Sequence, residues 1–394
     1  MNSKVDLFYN SINHNNDELC TIDWLRSKKY PRLPIFPKQK LALVDLFCGC
    51  GGLTLGVWEA LRFHNKALTI QLAVDNNPRI LEIYKKNFNV SHGVALNKDI
   101  HELLPGEIGG KIINIEENIQ RQFDNIDILV AGPPCQGHSN LNNRTRNQDP
   151  KNKLYLKVIR FAEIVLPKVI IIENVASIIQ DKNQVVAQSE TLLAQLGYRV
   201  QSFIINSLSL GIPQMRKRHI LVAAQDSHDG DFENLFKFTL TQTVPISEYI
   251  GDLVDEYQDK SEIFYTPSRM SEVNQRRVKY LFEHDLYELP NSERPPCHKN
   301  KRHKYGAVYG RLRWDKPAPT ITGGFGSMGQ GRFIHPLRPR VITAHEAARI
   351  QGFPDFFDFR SVNYRSDLYQ MIGNAVPPKI AACIVDMLIK RAFI

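Results

Sequence analysis

The chain has 394 residues, a net charge of +9 and a sequence pI of about 9.1. Hydrophobic residues make up 43%, which argues against global disorder, and the length suffices for one large domain with a smaller one or for two ordinary domains. No apolar run approaches the ~18 residues of a membrane span, and the polar N-terminus MNSKVDLFYNSINHNNDELC lacks a signal-peptide core, so a soluble, intracellular protein is expected.

Residues 1–40 read as an extension that ends in an extended connector marked by Pro31, Pro34 and Pro37. Apolar runs at Leu41–Phe47, Ile70–Val74, Ile126–Ala131, Val169–Ile172, Val200–Ile205 and His219–Ala223 read as strands. Between them, PRILEIYKKNF, KLYLKVIRFAEIV and SETLLAQLG carry apolar residues at helical spacing. This alternation predicts an α/β fold with a mainly parallel sheet and helices on both faces. The rhythm stops near Gln225, and the next hundred residues are irregular, as in a separate loop-rich domain. Helical patterns return at TAHEAARIQG and PPKIAACIVDMLIKRAF. The six cysteines are too few for a disulfide scaffold and lack zinc spacing, so reduced thiols and no metal are expected.

The first strand runs into DLFCGCGGLTLG, which sets Gly49, Gly51, Gly52 and Gly56 ahead of a helix. Glycines there let the backbone turn tightly and approach a ligand. Asp75 closes the second strand, where a carboxylate can accept from ribose hydroxyls, and Asp99, in NKDIHEL, is read as closing a further strand after it. Together they point to an adenosine-containing cofactor, either a dinucleotide or S-adenosylmethionine. The glycines alone would equally make a tight turn.

The third run ends in AGPPCQGHSN. A cysteine after a strand is often only a small buried hydrophobe. Here two prolines fix the backbone just before Cys135, at the strand end where open α/β sheets bind ligands. A preset direction suits a nucleophile. VIIIENVAS then brings Glu173, either a helix cap or a carboxyl partly desolvated at a cleft floor. PQMRKRHILVA brings Arg216 and Arg218, whose i, i+2 spacing on a strand predicts a shared face. Between 294 and 316, Arg294, Lys299, Lys301, Arg302, Lys304, Arg311, Arg313 and Lys316 surround a single acid, Asp315, with Tyr305, Tyr309 and Trp314 among them. The stretch suits a polyanion, although a solvated basic face would look the same.

In order, DLFCGCGG, GPPCQG, IIENV, QMRKR, RLRWDKPAPTIT and GNAVPP resemble the DNA (cytosine-5)-methyltransferase family. The resemblance leaves out only the first forty residues and the segment 226–310. It implies a Rossmann-like S-adenosylmethionine-dependent methyltransferase domain over 41–225 and a smaller, irregular target-recognition domain over 226–336. Residues 337–394 return to the catalytic domain, and double-stranded DNA lies in the cleft. It implies Cys135 as the nucleophile on C6 of a flipped-out cytosine, Glu173 at the N3 and N4 edge, Arg218 near O2, and Arg216 ordering the active-site loop and phosphates. For the cofactor it implies Phe47 against adenine, Gly49, Gly51 and Gly52 in the loop, Asp75 with Asn76 at the ribose, and Asp99 with Ile100 at the adenine. Pro134 and Leu154 line the pocket, and Asn374 lies near the methionine moiety. Gln136, Ser139 and the basic residues of 294–313 would touch DNA. CQGHS replaces the commoner CQPFS, and Asp75 stands where many members have Glu. A monomeric bacterial or phage enzyme, cytoplasmic and paired with a restriction endonuclease, is expected. The alternative is a tRNA methyltransferase of the same fold; that group carries a CFTK block, which this chain lacks. A nicotinamide dehydrogenase would share the glycine loop but has no use for PPCQG with ENV.

Overall fold

Seven strands form one sheet in the computed structural model, which describes residues 19–32, 34–134, 154–225, 232, 234–239, 242–253, 262–300 and 308–394. In chain order they are β1 (Lys40–Leu46), β2 (Ala67–Asp75), β3 (Ala95–Asn97), β4 (Ile128–Ala131), β5 (Val169–Val175), β6 (Tyr198–Asn206) and β8 (Lys217–Gln225); β7 (Gln214–Met215) pairs separately with β9 (Ala318–Pro319). The order across the sheet is β3-β2-β1-β4-β5-β8-β6. β1 to β5 pair in parallel, and β8 runs antiparallel between β5 and β6. Every expected strand is present, and the sheet is mainly parallel as expected. The single reversal matters for function: it lays the start of β8 beside the end of β5, so Arg218 faces Val175 in register.

The alternation of side chains along each strand feeds two cores. Leu41 and Leu43 of β1, with Ile128, Ile171 and Ile220, pack under α2 (Gly52–Phe63) and α12 (Pro378–Lys390). Val44 and Leu46, with Leu129, Ile170 and Leu221, pack under α6 (Leu154–Val165) and α7 (Val185–Gln195). Helices therefore cover both faces, as a sheet buried on both sides requires. α12 lies so close to α2 that a Cβ on Gly56 would stand 2.1 Å from the Pro378 carbonyl oxygen. The C-terminal helix is thus part of the sheet's own core.

Local signals set the helix starts. Asn77 caps α3 (Pro78–Phe88) by accepting from the Arg79 and Ile80 N–H groups, with Pro78 at the first position. Thr343 and Glu346 form a reciprocal capping box at α10 (Ala344–Ile350). The span Arg365–Lys390 is long and apolar enough to cross a membrane by composition, which the sequence reading did not anticipate. It comprises α11 (Arg365–Asn374) and α12, divided at 375–377, and it is mostly buried in the core.

A third core joins the C-terminal segment to residues 244–253, 263–265 and 312–333 and to the N-terminal side. There α1 (Ile22–Arg26) buries Trp24 and Leu25, and Trp24 meets the Phe356 ring edge-on at 5.5 Å. Residues 19–26 are docked on the body of the molecule, whereas a free extension would be solvated.

Candidate active site

The ends of the central parallel strands open into a cavity of about 1600 Å³. One wall comes from the β1, β2, β4 and β5 ends, and another from residues 319–323, 329–333 and 370–376. A crevice outside the carboxyl ends of the strands is where open α/β sheets bind ligands.

β1 stops at Leu46, and Phe47 adopts a left-handed φ of 58°. A non-glycine residue there is strained, and strain at a strand end marks a turn held by its surroundings. Gly51, at φ 96°, caps α2, and a Cβ on it would stand 2.2 Å from the Phe88 ring. Gly52 has the same problem with the Val376 carbonyl oxygen, also at 2.2 Å. Only glycine fits either position. Asp75 then holds the loop: its Oδ2 accepts from the Gly49 N–H at 3.0 Å and its Oδ1 from the Asn77 N–H at 2.8 Å. Burial pushes its pKa up, and those N–H groups pull it back. Asn76 is exposed beside it on the cavity wall.

Asp99 does not close β3, which ends at Asn97. It caps α4 (Ile100–Leu103) through Oδ1, which accepts from the His101 N–H at 2.8 Å, and its residue lines the cavity. Ile100 is buried just behind it. Phe47, Gly49, Gly52, Pro134, Leu154 and Asn374 all line the same cavity, and Gly51 lies under the loop. Ten of the eleven residues expected at the cofactor therefore share one space. That space fits an adenosine-containing methyl donor: glycines allow close approach, a partly buried carboxylate stands at the next strand end, and Phe47 offers a ring.

Below the loop lies a set the sequence reading missed. Asp45 is fully buried; its Oδ2 accepts from Thr54 Oγ1 at 2.6 Å, and Thr54 Oγ1 also bonds the Tyr84 hydroxyl at 2.9 Å. Burial pushes the Asp45 carboxyl up to about 8, against the pull of Thr54. Its place inside an apolar strand was visible, but the burial that raises its pKa is set by the fold around it.

The reacting end sits one strand over. β4 ends at Ala131, and Asn174 Nδ2 donates to the Pro133 carbonyl at 3.1 Å, pinning the proline pair to β5. Glu173, 8% exposed, receives Arg218 Nε at 2.6 Å on its Oε1. A Cβ on Gly132 would come within 3.9 Å of Glu173 Oε2, so the carboxylate stands beside the strand end that leads to Cys135. Cys135, Gln136 and Ser139 lie outside the described residues. Burial lowers the Arg218 pKa, and Glu173 raises it again.

Two expectations about arginines need correction. Arg216 and Arg218 were expected on one strand, yet Arg216 falls in the junction between β7 and β8. Its guanidinium, 1% exposed, donates to the carbonyls of Ile321 at 3.1 Å, Gly373 at 3.2 Å and Ala375 at 3.0 Å, with Asn374 at 3.5 Å. It ties β7 to the C-terminal segment, and its residue lines the cavity. Arg311, expected at DNA, is also buried. It donates to the Pro336 carbonyl and to Asp285, and it stacks between Phe282 and Tyr287. These contacts hold its guanidinium within the fold, not on an open basic face. Arg294 is half-buried and donates to the Leu289 carbonyl, Lys299 is exposed, and Arg313 is exposed over the Tyr287 ring. Lys301, Arg302 and Lys304 lie outside the described residues. The cavity also recruits Lys217, Thr320, Gln330 and Arg332, none of them singled out from sequence, although PAPTIT flagged the segment that carries Thr320. Among the described residues there is no cluster fit to hold a metal.

The model of the C-5 cytosine-specific DNA methylases matches residues 41–390. The chain belongs to that family. This methylase is 45% identical over 370 residues to the type II methyltransferase M1.BsuMI of Bacillus subtilis, covering 94% of this chain and 85% of that one. It is 30% identical to the type II methylase M.HgiDII of Herpetosiphon aurantiacus, covering 89% and 95%. Its fold resembles that of a putative DNA modification methyltransferase encoded within an Escherichia coli prophage, at a TM-score of 0.62 and 23% identity over 89% of this chain and 99% of that one. It also resembles the S. pombe Dnmt2 methyltransferase, at 0.61 and 19% over the same shares. The methylase transfers a methyl group from S-adenosylmethionine to C5 of cytosine in DNA. These matches do not favour the tRNA alternative.

Proposed function

We propose that this methylase acts on a cytosine flipped out of a specific double-stranded site, through a covalent bond between Cys135 and C6. The Glu173–Arg218 pair beside the Gly132–Pro134 strand end carries this reading. Cytosine C5 is a poor nucleophile until a thiolate adds at C6. Glu173 at the N3 and N4 edge gives a proton to N3 from its acid form as the thiolate adds, and Arg218 at O2 holds the negative charge at the other edge while fixing the direction of the Glu173 carboxyl group. Two prolines pinned by Asn174 set the course of the chain into Cys135. When bound, S-adenosylmethionine supplies an electrophilic methyl group for C5. Phe47, Gly49, Gly51, Gly52, Asp75, Asn76, Asp99, Ile100, Pro134, Leu154 and Asn374 hold it. A base, such as water, then removes the C5 proton and Cys135 leaves.

The cytosine cannot react inside the stack, so it is extruded at a cost of a few kcal/mol. Sequence choice belongs to the segment 226–336, set against a catalytic half of 41–225 joined by 337–394. Its exposed cations, with Lys301, Arg302 and Lys304, hold phosphates. The relatives' type II names support a place beside a restriction endonuclease, and the enzyme is read as cytoplasmic and monomeric. The test of the reading is trapping: DNA carrying 5-fluorocytosine at the target should form a denaturant-resistant complex with the wild type. A wild type that methylates this DNA yet is never trapped contradicts the covalent route.

A further inference from the structure

The cleft wall next to Glu173 and Arg218 carries apolar side chains that face solvent. Ile179 is 55% exposed, Met215 51% and Ile204 48%. Of the exposed large hydrophobics among the described residues, these three line the cleft. They come from three elements that meet around the start of β8: the 3-10 turn Ala176–Gln180 after β5, the end of β6, and β7. In the β6–β8 register, Ile204 lies opposite His219 and Asn206 opposite Lys217, with Met215 two residues earlier. Lys217 is exposed between them and lines the same cleft.

Apolar surface grouped at a functional cleft is costly in water and marks a contact made in the working complex. The macromolecule that enters this cleft is DNA. Its phosphates call for cations, and its sugars and base faces for apolar groups. A rim of Ile, Met and Ile interrupted by one lysine suits both at the point where the stack is opened. We propose that Ile179, Ile204 and Met215 form a wedge that packs against the sugar and base faces beside the target cytosine and offsets the loss of stacking when that base leaves the helix. Apolar wedges between base steps are a general way for proteins to open or kink a duplex. The inference rests on the DNA methylation described above and adds the residues that lower the cost of extrusion.

The test uses the full chain with Ile179→Ala and Met215→Ala combined. Two duplexes are compared, one with the target cytosine paired to guanine and one with the cytosine opposite an abasic site. The second has lost most of the pairing that extrusion must break. On the paired duplex kcat/KM should fall about tenfold for the lost apolar area. On the abasic-site duplex the loss should shrink to about twofold, with S-adenosylmethionine affinity and the urea midpoint unchanged. A paired-to-abasic ratio of losses above about threefold supports the wedge, and a ratio at or below it overturns the wedge, including the case of no loss on either. If the double variant is less stable, the two single variants are judged by the same ratio. A wild type inactive on both duplexes would instead strike at the DNA reading itself.

Discussion

Replacing Arg216 by alanine separates two roles for this residue, a phosphate contact and an internal tie. Three of its hydrogen bonds, to Ile321, Gly373 and Ala375, measure 3.0–3.2 Å, and the side chain is 1% exposed. A hydrogen bond to a charged group is worth ~1.5–3 kcal/mol net, and a carbonyl stranded in the interior costs ~1–3 kcal/mol. These terms do not add, because the buried guanidinium already carries a desolvation cost that its removal relieves. The expected net loss for Arg216→Ala is ~3–5 kcal/mol, as for other broken buried networks. Arg216→Lys keeps the charge but cannot fork to three carbonyls, so it should recover only part of the loss. Urea unfolding of both variants gives the numbers directly. Activity of the folded fraction should fall through S-adenosylmethionine as well as DNA, because the carbonyls of 373–375 belong to a segment that lines the cofactor cavity. A stable Arg216→Ala variant that has lost DNA affinity alone would refute this reasoning and return Arg216 to the phosphates.

Cys135→Ser should abolish methyl transfer while S-adenosylmethionine affinity, read by calorimetry, stays within about twofold. Asp75→Ala should weaken that affinity by ~1.5–3 kcal/mol, since it removes an acceptor and frees the Gly49 N–H; unchanged affinity would remove Asp75 from the ribose. Two buried histidines should each cost stability in mild acid, against the opposite trend of Asp45, whose raised carboxyl makes the fold bind a proton below about 8. Burial lowers His219 and His335 from 6.5 to about 4. The unfolded chain therefore binds these protons first, so their contribution is complete above about 6.5 and is lost as pH falls towards 4, at most ~3 kcal/mol for each. His219→Leu should flatten that slope in urea melts between pH 7 and 4, and an unchanged slope would mean that His219 protonates normally in the fold. Exchanging residues 226–310 with those of a relative of different specificity should move the methylated site; methylation at the original site would place recognition elsewhere.

Much of the sheet was legible because buried parallel strands are near-continuous apolar runs, and β1, β4 and β5 have that form. The glycine loop and Asp75 were legible because chemistry at a strand end needs particular residue types. The reversal of β8 was not, since pairing direction depends on non-local contacts and leaves no periodicity of its own. For the same reason Arg216 read as strand, although its place is set by carbonyls more than a hundred residues away. Arg311 looked like part of a basic face, because charge in a sequence does not tell whether Phe282, Tyr287 and Asp285 will enclose it. Asp45 escaped notice because an acid inside an apolar run resembles a strand-end polar residue until Thr54 and Tyr84 fold over it.

The most direct measurement is transfer of labelled methyl from S-adenosylmethionine, with wild-type protein, to duplex DNA and to tRNA, followed by bisulfite sequencing of the DNA. Label should enter the duplex alone and map to C5 of one cytosine within a fixed sequence, and Cys135→Ser should give none. Label in tRNA but not in DNA, or label on DNA that bisulfite does not read as 5-methylcytosine, would contradict the account.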